Sequence, residues 1–138
     1  MAVHGGLLRL ETAGDGEAVD LTEGVRSIVR AGGVERGAVV VFARGSTVAV
    51  TTMEYEPGGI ADLAELLERL APRTGEYEHN RRNADTNAHA HLRAALIGPS
   101  ETVPIVDGEL VLGTWQQLVL LDFDDRPRRR EVVVQVLS

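Results

Sequence analysis

Apolar residues recur along the chain with two periods, and the changes between them mark out its elements. Leu7, Leu8 and Leu10 stand among polar neighbours ahead of the turn signal Ala13-Gly14-Asp15-Gly16, which predicts a short opening strand. Leu21, Val25, Ile28 and Val29 then fall at helical spacing, with Asp20 or Thr22 as the cap and Gly32-Gly33 as the stop, so their stripe is a core face. Two β-branched runs follow, Ala38-Val39-Val40-Val41-Phe42 and Thr47-Val48-Ala49-Val50-Thr51-Thr52. Their short separator, Arg44-Gly45-Ser46, predicts neighbouring strands. Ile60, Leu63, Leu66, Leu67 and Leu70 repeat at three and four between Gly58-Gly59 and Pro72, a second helix with Glu65, Glu68 and Arg69 on its wet side.

From 74 to 87 the chain turns polar, carrying Asn80, Asn83, Asn87, Arg81 and Arg82 with almost no apolar anchor, and such a loop is surface or site. Leu92, Ala95 and Leu96 predict a short third helix stopped by Gly98-Pro99. Beyond it the stretches 102–106, 109–112, 116–123 and 131–137 read as extended, joined by the hairpin signal Asp107-Gly108 and the charged stretch 124–130. The order β-α-β-β-α-α-β-β-β has hairpins in place of strand–helix alternation and favours an α+β fold with largely antiparallel sheets. Val119-Leu120-Leu121 and Val132-Val133-Val134 are too continuous for a sheet wetted on one side. Both faces need cover, which subunit packing can supply. No internal repeat and no linker-like stretch interrupts 1–138, so a single domain is expected.

Composition narrows the chemistry. With 138 residues, 43% hydrophobic and 25% charged, the chain has the profile of one globular domain able to build a core without staples. The absence of cysteine excludes disulfides, thiolate metal sites and a cysteine nucleophile. All 14 basic residues are arginine, so Schiff-base chemistry and a phosphate-loop lysine are excluded as well. A net charge of −7 opposes non-specific contact with nucleic acid or an acidic membrane surface. The apolar runs fall far short of a membrane span and the start of the chain lacks signal-peptide order, so a cytoplasmic location is expected. The paired glycines fit no dinucleotide or phosphate loop, and Ser46 and Ser100 lack the context of a hydrolase nucleophile.

One dense polar constellation remains. His79, His89 and His91 lie within thirteen positions, beside Glu76, Glu78 and Asp85. Neutral imidazoles are common ligands for zinc and similar ions, and nearby carboxylates can complete or orient such a site. Residues two apart point to nearly opposite sides of a helix, so His89 and His91 converge only if the helix begins near His91, with Asn87 as its cap. The other open reading is three partly exposed histidines that hydrogen-bond the backbone. Arg126-Pro127-Arg128-Arg129-Arg130 could hold a phosphate, but mutual neutralisation with Asp122, Asp124 and Asp125 in a solvated hairpin is the expectation. Trp115, the only tryptophan, is expected in the core or at a subunit contact, with a pocket wall as the alternative.

Tyr77-Glu78-His79-Asn80, Ala90-His91-Leu92, Leu96-Ile97-Gly98-Pro99-Ser100, Val103-Pro104, Gly113-Thr114-Trp115-Gln116 and Arg126-Pro127-Arg128-Arg129-Arg130, in that order, resemble the YjbQ-like family of secondary thiamine-phosphate synthases. The resemblance runs from about Val19 to the C-terminus. It implies a two-sheet, mostly antiparallel β-sandwich with short helices, assembled as a homotrimer around a threefold axis. It also implies weak or secondary formation of thiamine phosphate from a pyrimidine diphosphate and a thiazole phosphate, in a histidine-lined cleft that holds an anion or a divalent metal, zinc or magnesium. On this resemblance His79 and His91 are acid/base groups or metal ligands, and His89, an extra histidine beside the matching His91, is expected within reach of the same metal by the local density of imidazoles. Asn80 and Gln116 orient by hydrogen bonding, and Ser100 lies near the phosphate.

The chain departs from the family in one place that bears on activity. Where members carry a His-Thr-Thr or His-Thr-Ser step, it reads Gly45-Ser46-Thr47, and Glu54-Tyr55-Glu56-Pro57-Gly58 stands where an asparagine–glutamate step is usual. A divergent branch with poor thiamine-phosphate synthesis is therefore expected. Two function classes stay open: an enzyme acting on a phosphorylated small molecule, and a non-catalytic trimeric protein that holds a metal or an anion.

Overall fold

The computed structural model describes residues 2–138. The chain runs through β1 (Val3–Thr12), β2 (Glu17–Asp20), α1 (Thr22–Gly32), β3 (Arg36–Ala43), β4 (Val48–Met53), α2 (Pro57–Leu70), α3 (Glu78–Asn83), α4 (Ala88–Ile97), β5 (Ser100–Val106), β6 (Glu109–Leu110), β7 (Gln117–Asp122) and β8 (Arg128–Leu137). Two elements are additional to those expected, β2 and α3, and the four extended stretches expected after the helices are β5 to β8. β2 is too short to show alternation. It is extended because Glu17–Asp20 adds antiparallel to the edge of β7, directly after a turn in which Gly14, Asp15 and Gly16 all take positive φ.

The strands form two sheets, one in the order β1-β8-β3-β5-β6 and one in the order β2-β7-β4, and every pairing is antiparallel. The two-sheet α+β architecture expected from the strand pattern is thus the one observed. Between the sheets lies the main core. Val39, Val41, Val103, Ile105, Val132, Val134 and Val136 come from the larger sheet and Val48, Val50, Leu118 and Leu120 from the smaller, with Leu21, Val25 and Val29 of α1 packed alongside. On the far face of the smaller sheet Ala49, Val119, Leu121 and Phe123 meet Leu63 and Leu67 of α2 and Ala90, Ala94 and Ile97 of α4. The β7 run is therefore covered on both faces by its own chain, and its continuity needs no second subunit.

The outer face of the larger sheet has no such cover. Register places Leu7, Val133 and Phe42 side by side across β1, β8 and β3, with Leu137, Ala38 and Pro104 in a parallel row. Leu7, Phe42, Val3 and Val106 are exposed there.

Helix faces differ in detail from the leucine pattern. In α2 only Leu67 is fully buried, while Leu66 and Leu70 are exposed. In α4 the packed residues are alanines and Ile97, and Leu92 and Leu96 face outward. Alanine lets the helix lie close to the sheet, so the small side chains mark the inner face and the large ones do not.

Candidate functional site

The polar segment after α2 folds into α3 and the N-terminal turn of α4, and asparagines tie the two together. Asn80 Oδ1 accepts the backbone N–H of Ala88 at 3.1 Å and lies 3.0 Å from His79 Nδ1. Asn83 Nδ2 donates to the His79 carbonyl at 2.9 Å, and Ala84, at φ 50°, ends the helix in a left-handed turn. His91, on α4, places Nδ1 3.1 Å from the carbonyl of Ser46 in the β3–β4 turn. The two rings meet with centroids 4.7 Å apart and planes tilted by 53°.

This geometry settles the tautomers. A carbonyl oxygen only accepts, so each Nδ1 carries the hydrogen, and the Ala88 contact fixes which end of the Asn80 amide is oxygen. In the neutral rings both Nε2 atoms hold a lone pair, the form that takes up a proton or ligates a metal. Beside His91 lies a cavity of about 320 Å³ lined by Gly45, Ser46, Val48, Ala94, Ala95 and Pro99.

The structure thus brings together His79, Asn80 and His91. The other expected site residues lie elsewhere. α4 begins at Ala88, not near His91, with Asn87 in the N-cap position and its side chain donating to Asp124 Oδ1 at 3.3 Å rather than bonding the helix N-terminus. His89 and His91 are then about 200° apart around the axis. His89 is turned inward, only 3% exposed, and among the described residues its Nδ1 has no hydrogen-bond partner. Burial pushes its pKa down, Arg93 and Arg73 push the same way, and Asp125 and Glu68 oppose them. Ser100 opens β5 opposite Phe42, on the outer face of the larger sheet. Gln116 Nε2 donates to Thr52 Oγ1 at 3.2 Å, six residues along the chain from Ser46 and on the order of 20 Å away in extended strand. Trp115 is not a core residue: it is 73% exposed and lines a separate cavity of about 610 Å³ with Gln116, Tyr55 and Glu54.

A zinc site takes three or four protein ligands. His79 and His91 supply two, His89 faces the other way, and among the described residues no three His, Cys, Asp or Glu side chains group closely enough to hold a metal ion. The donor set within one chain does not fit the expected zinc or magnesium.

The arginine cluster is neutralised, but not in a solvated hairpin. Asp122 and Asp124 alternate at the end of β7, Arg128 and Arg130 alternate at the start of β8, and each pair shares a face. Arg130 Nε donates to Asp122 Oδ2 at 2.7 Å and Nη2 to Oδ1 at 2.9 Å, while Nη2 also reaches Thr47 Oγ1 at 2.7 Å. Thr12 Oγ1 donates to the same Asp122. Arg128 Nε donates to Asp124 Oδ2 at 2.6 Å. Burial raises the Asp124 pKa, but the bonds from Arg128, the Asp125 N–H and Asn87 outweigh it and bring the group down to about 2. Period two in Asp122-Phe123-Asp124 and Arg128-Arg129-Arg130 was the available signal for this buried network. The network backs onto the cavity: a Cβ on Gly45, at φ 143°, would stand 2.7 Å from Arg130 Nη1.

The model of the UPF0047 protein YjbQ-like family matches residues 7–138. The chain belongs to this family. A UPF0047 protein of Archaeoglobus fulgidus is 41% identical over 130 residues, covering 94% of this chain and 98% of the relative. One from Methanothermobacter thermautotrophicus is 38% identical over 136 residues, covering 99% and 93%. Among solved structures, a hypothetical protein from Aeropyrum pernix superposes with a TM-score of 0.90 at 33% identity, covering 100% of this chain and 99% of that one. A YbjQ-like protein of unknown function from Sulfolobus solfataricus gives 0.89 at 29% identity, covering 99% of each. The family match extends the resemblance N-terminally to include most of β1.

Proposed function

We propose that the YjbQ-like chain works as a homotrimer with an acid/base site for a phosphorylated small molecule at the His79–His91 pair. One observation carries this reading: each Nδ1 is spent on a carbonyl oxygen, which leaves both Nε2 atoms free for proton transfer, and of the two touching rings His91 lines a cavity large enough for a small ligand. The reaction class is the coupling of a pyrimidine diphosphate to a thiazole phosphate. There the thiazole nitrogen displaces diphosphate, and an imidazole at Nε2 serves by moving a proton to or from the departing group. With Gly45 in place of an imidazole, turnover is expected to be slow, since a positioned acid/base group is worth ~10²- to 10⁴-fold. Support for the trimer is the uncovered apolar row Leu7, Val133 and Phe42.

Calorimetric titration with the thiazole phosphate and the pyrimidine diphosphate tests the site. Binding by the native protein is expected to weaken about tenfold or more in His91→Ala, with the thermal midpoint retained. A native protein that binds neither compound, or a His91→Ala variant that binds as well as the native one, rules the reading out.

A further inference from the structure

The cavity of about 610 Å³ lies at the other end of β4 from His91, and two aromatic side chains line it, Trp115 and Tyr55. Both are exposed, Trp115 to 73%. Their setting is fixed by side-chain bonds. Tyr55 donates its N–H to Gln117 Oε1 at 2.8 Å and its hydroxyl to the Ala18 carbonyl at 3.1 Å. Gln117 Nε2 donates to the Thr114 carbonyl at 3.3 Å, and Gln116 Oε1 accepts the Gly113 N–H at 3.1 Å, so the chain is fastened on both sides of the indole. An indole stabilises a fold most when buried, and here a fastened loop holds it in a cavity open to water. The wall around the rings is anionic. Asp20, Glu23, Glu54 and Glu56 line it against one cation among the described residues, Arg26, which bonds Glu23 and stands 3.9 Å from Glu109. Glu56 accepts the N–H groups of Gly58 and Gly59, and these bonds hold its carboxyl below the ordinary range. Asp20 Oδ1 accepts the Thr22 N–H at 2.9 Å. The Glu54 carboxylate has neither a hydrogen-bond nor an ion-pair partner among the described residues.

We propose that this cavity binds a small organic cation carrying a quaternary ammonium group, with Trp115 and Tyr55 as its aromatic wall and Glu54 as its counter-ion. The proposal stands apart from the reading of the His79–His91 pair and does not depend on it. A quaternary ammonium group has no N–H to satisfy and is weakly hydrated, so aromatic rings serve it better than a cage of hydrogen-bond acceptors. Bonds that already fix the Trp115 loop reduce the freedom lost on binding. The carboxylates oppose an anion, and on a chain of net charge −7 they draw a cation toward the rings. A bare metal ion is a poorer fit. The volume is many times that of an ion, and among the described residues no three His, Cys, Asp or Glu side chains group closely enough to hold one.

Choline and its uncharged isostere 3,3-dimethylbutan-1-ol are the probes, titrated at low ionic strength by calorimetry and by fluorescence. Trp115 is the only tryptophan, so its emission reports the cavity directly. Choline is expected to change that emission saturably and to bind about tenfold or more tightly than the isostere. Trp115→Leu, followed by calorimetry, is expected to weaken choline binding about tenfold, and Glu54→Gln about threefold. Equal binding of the isostere would make the cavity merely apolar and overturns the proposal. So does a native protein whose emission and heats are indifferent to choline, and so does choline binding that ignores both substitutions, which places the cation elsewhere. Binding that needs Trp115 but not Glu54 overturns the counter-ion assignment alone. Emission that is blue-shifted and shielded from acrylamide before any ligand is added means that a second copy of the chain covers the indole, and this too overturns the proposal. Should Trp115→Leu fail to fold, the emission of the native protein and of Glu54→Gln decides.

Discussion

At position 45 a missing side chain is both a chemical loss and a structural requirement. The chain lacks the imidazole that the family resemblance places there, yet a Cβ at Gly45 would stand 2.7 Å from Arg130 Nη1 and 3.0 Å from Val48 Cγ1, on a backbone at φ 143°. Gly45→His is therefore expected to destabilise the protein by about 1–3 kcal/mol rather than to restore activity. Thermal denaturation checks this, and an unchanged midpoint with a gain in thiamine-phosphate formation would contradict it. Two other residues set the acid limit of the fold. Asp124 is depressed from 3.8 to about 2, so its contribution, about 2 kcal/mol, is present above pH 4 and lost as the pH falls through 2. In Asp124→Asn the difference in stability from the native chain should shrink over that same window. His89 is a base whose pKa burial lowers from 6.5, so its neutral form adds stability that is full above pH 6.5 and declines below it. Arg93 and Arg73 act with burial, and Asp125 and Glu68 against it. His89→Gln should flatten the stability profile just below pH 6.5 in denaturant titrations, and an unaltered slope would remove His89 from this role.

Among the elements, α3 was the least legible in the sequence and matters most to the site. Its six residues, Glu78–Asn83, carry no apolar stripe, and it is held by side-chain bonds from Asn80 and Asn83 that hydrophobic periodicity does not register. Apart from the short β2, the strands were legible because their apolar runs alternate or are covered on both faces. The buried side of α4 was not, because Ala90 and Ala94 face the sheet while Leu92 and Leu96 face out. Convergence of His79 and His91 could be read from the crowding of imidazoles, whereas the inward turn of His89 followed only from the helix beginning at Ala88. Asn80 is the joint between α3 and α4. Asn80→Ala leaves the Ala88 N–H and His79 Nδ1 without their shared acceptor and is expected to cost about 1 to 2 kcal/mol. It should also release the His79 tautomer, which imidazole ¹⁵N shifts report; a fixed Nδ1–H form in the variant would show that Asn80 does not position the ring.

For the whole molecule, the question is what covers the larger sheet. β7 has the other sheet on one face and α2 and α4 on the other, so its apolar run is explained within one chain. β8 is different: Val132 and Val134 face the core while Val133 joins Leu7 and Phe42 on the outside. A contiguous apolar row on a chain with a net charge of −7 needs a partner surface that tolerates the same charge. A second and third copy of the same face would supply it if the contact is apolar at its centre, with the Arg9, Arg44 and Glu131 ion pairs at its margin. Light scattering at micromolar concentration is then expected to give about three times the chain mass of 14.9 kDa. Phe42→Glu should yield folded monomers by burying like charges against one another. Added salt separates the two contributions, because it screens repulsion between acidic chains as well as the marginal pairs but leaves the apolar row intact. The trimer should persist or tighten between low and high salt, and dissociation on adding salt would mean that ion pairs, not Leu7, Val133 and Phe42, hold the subunits together.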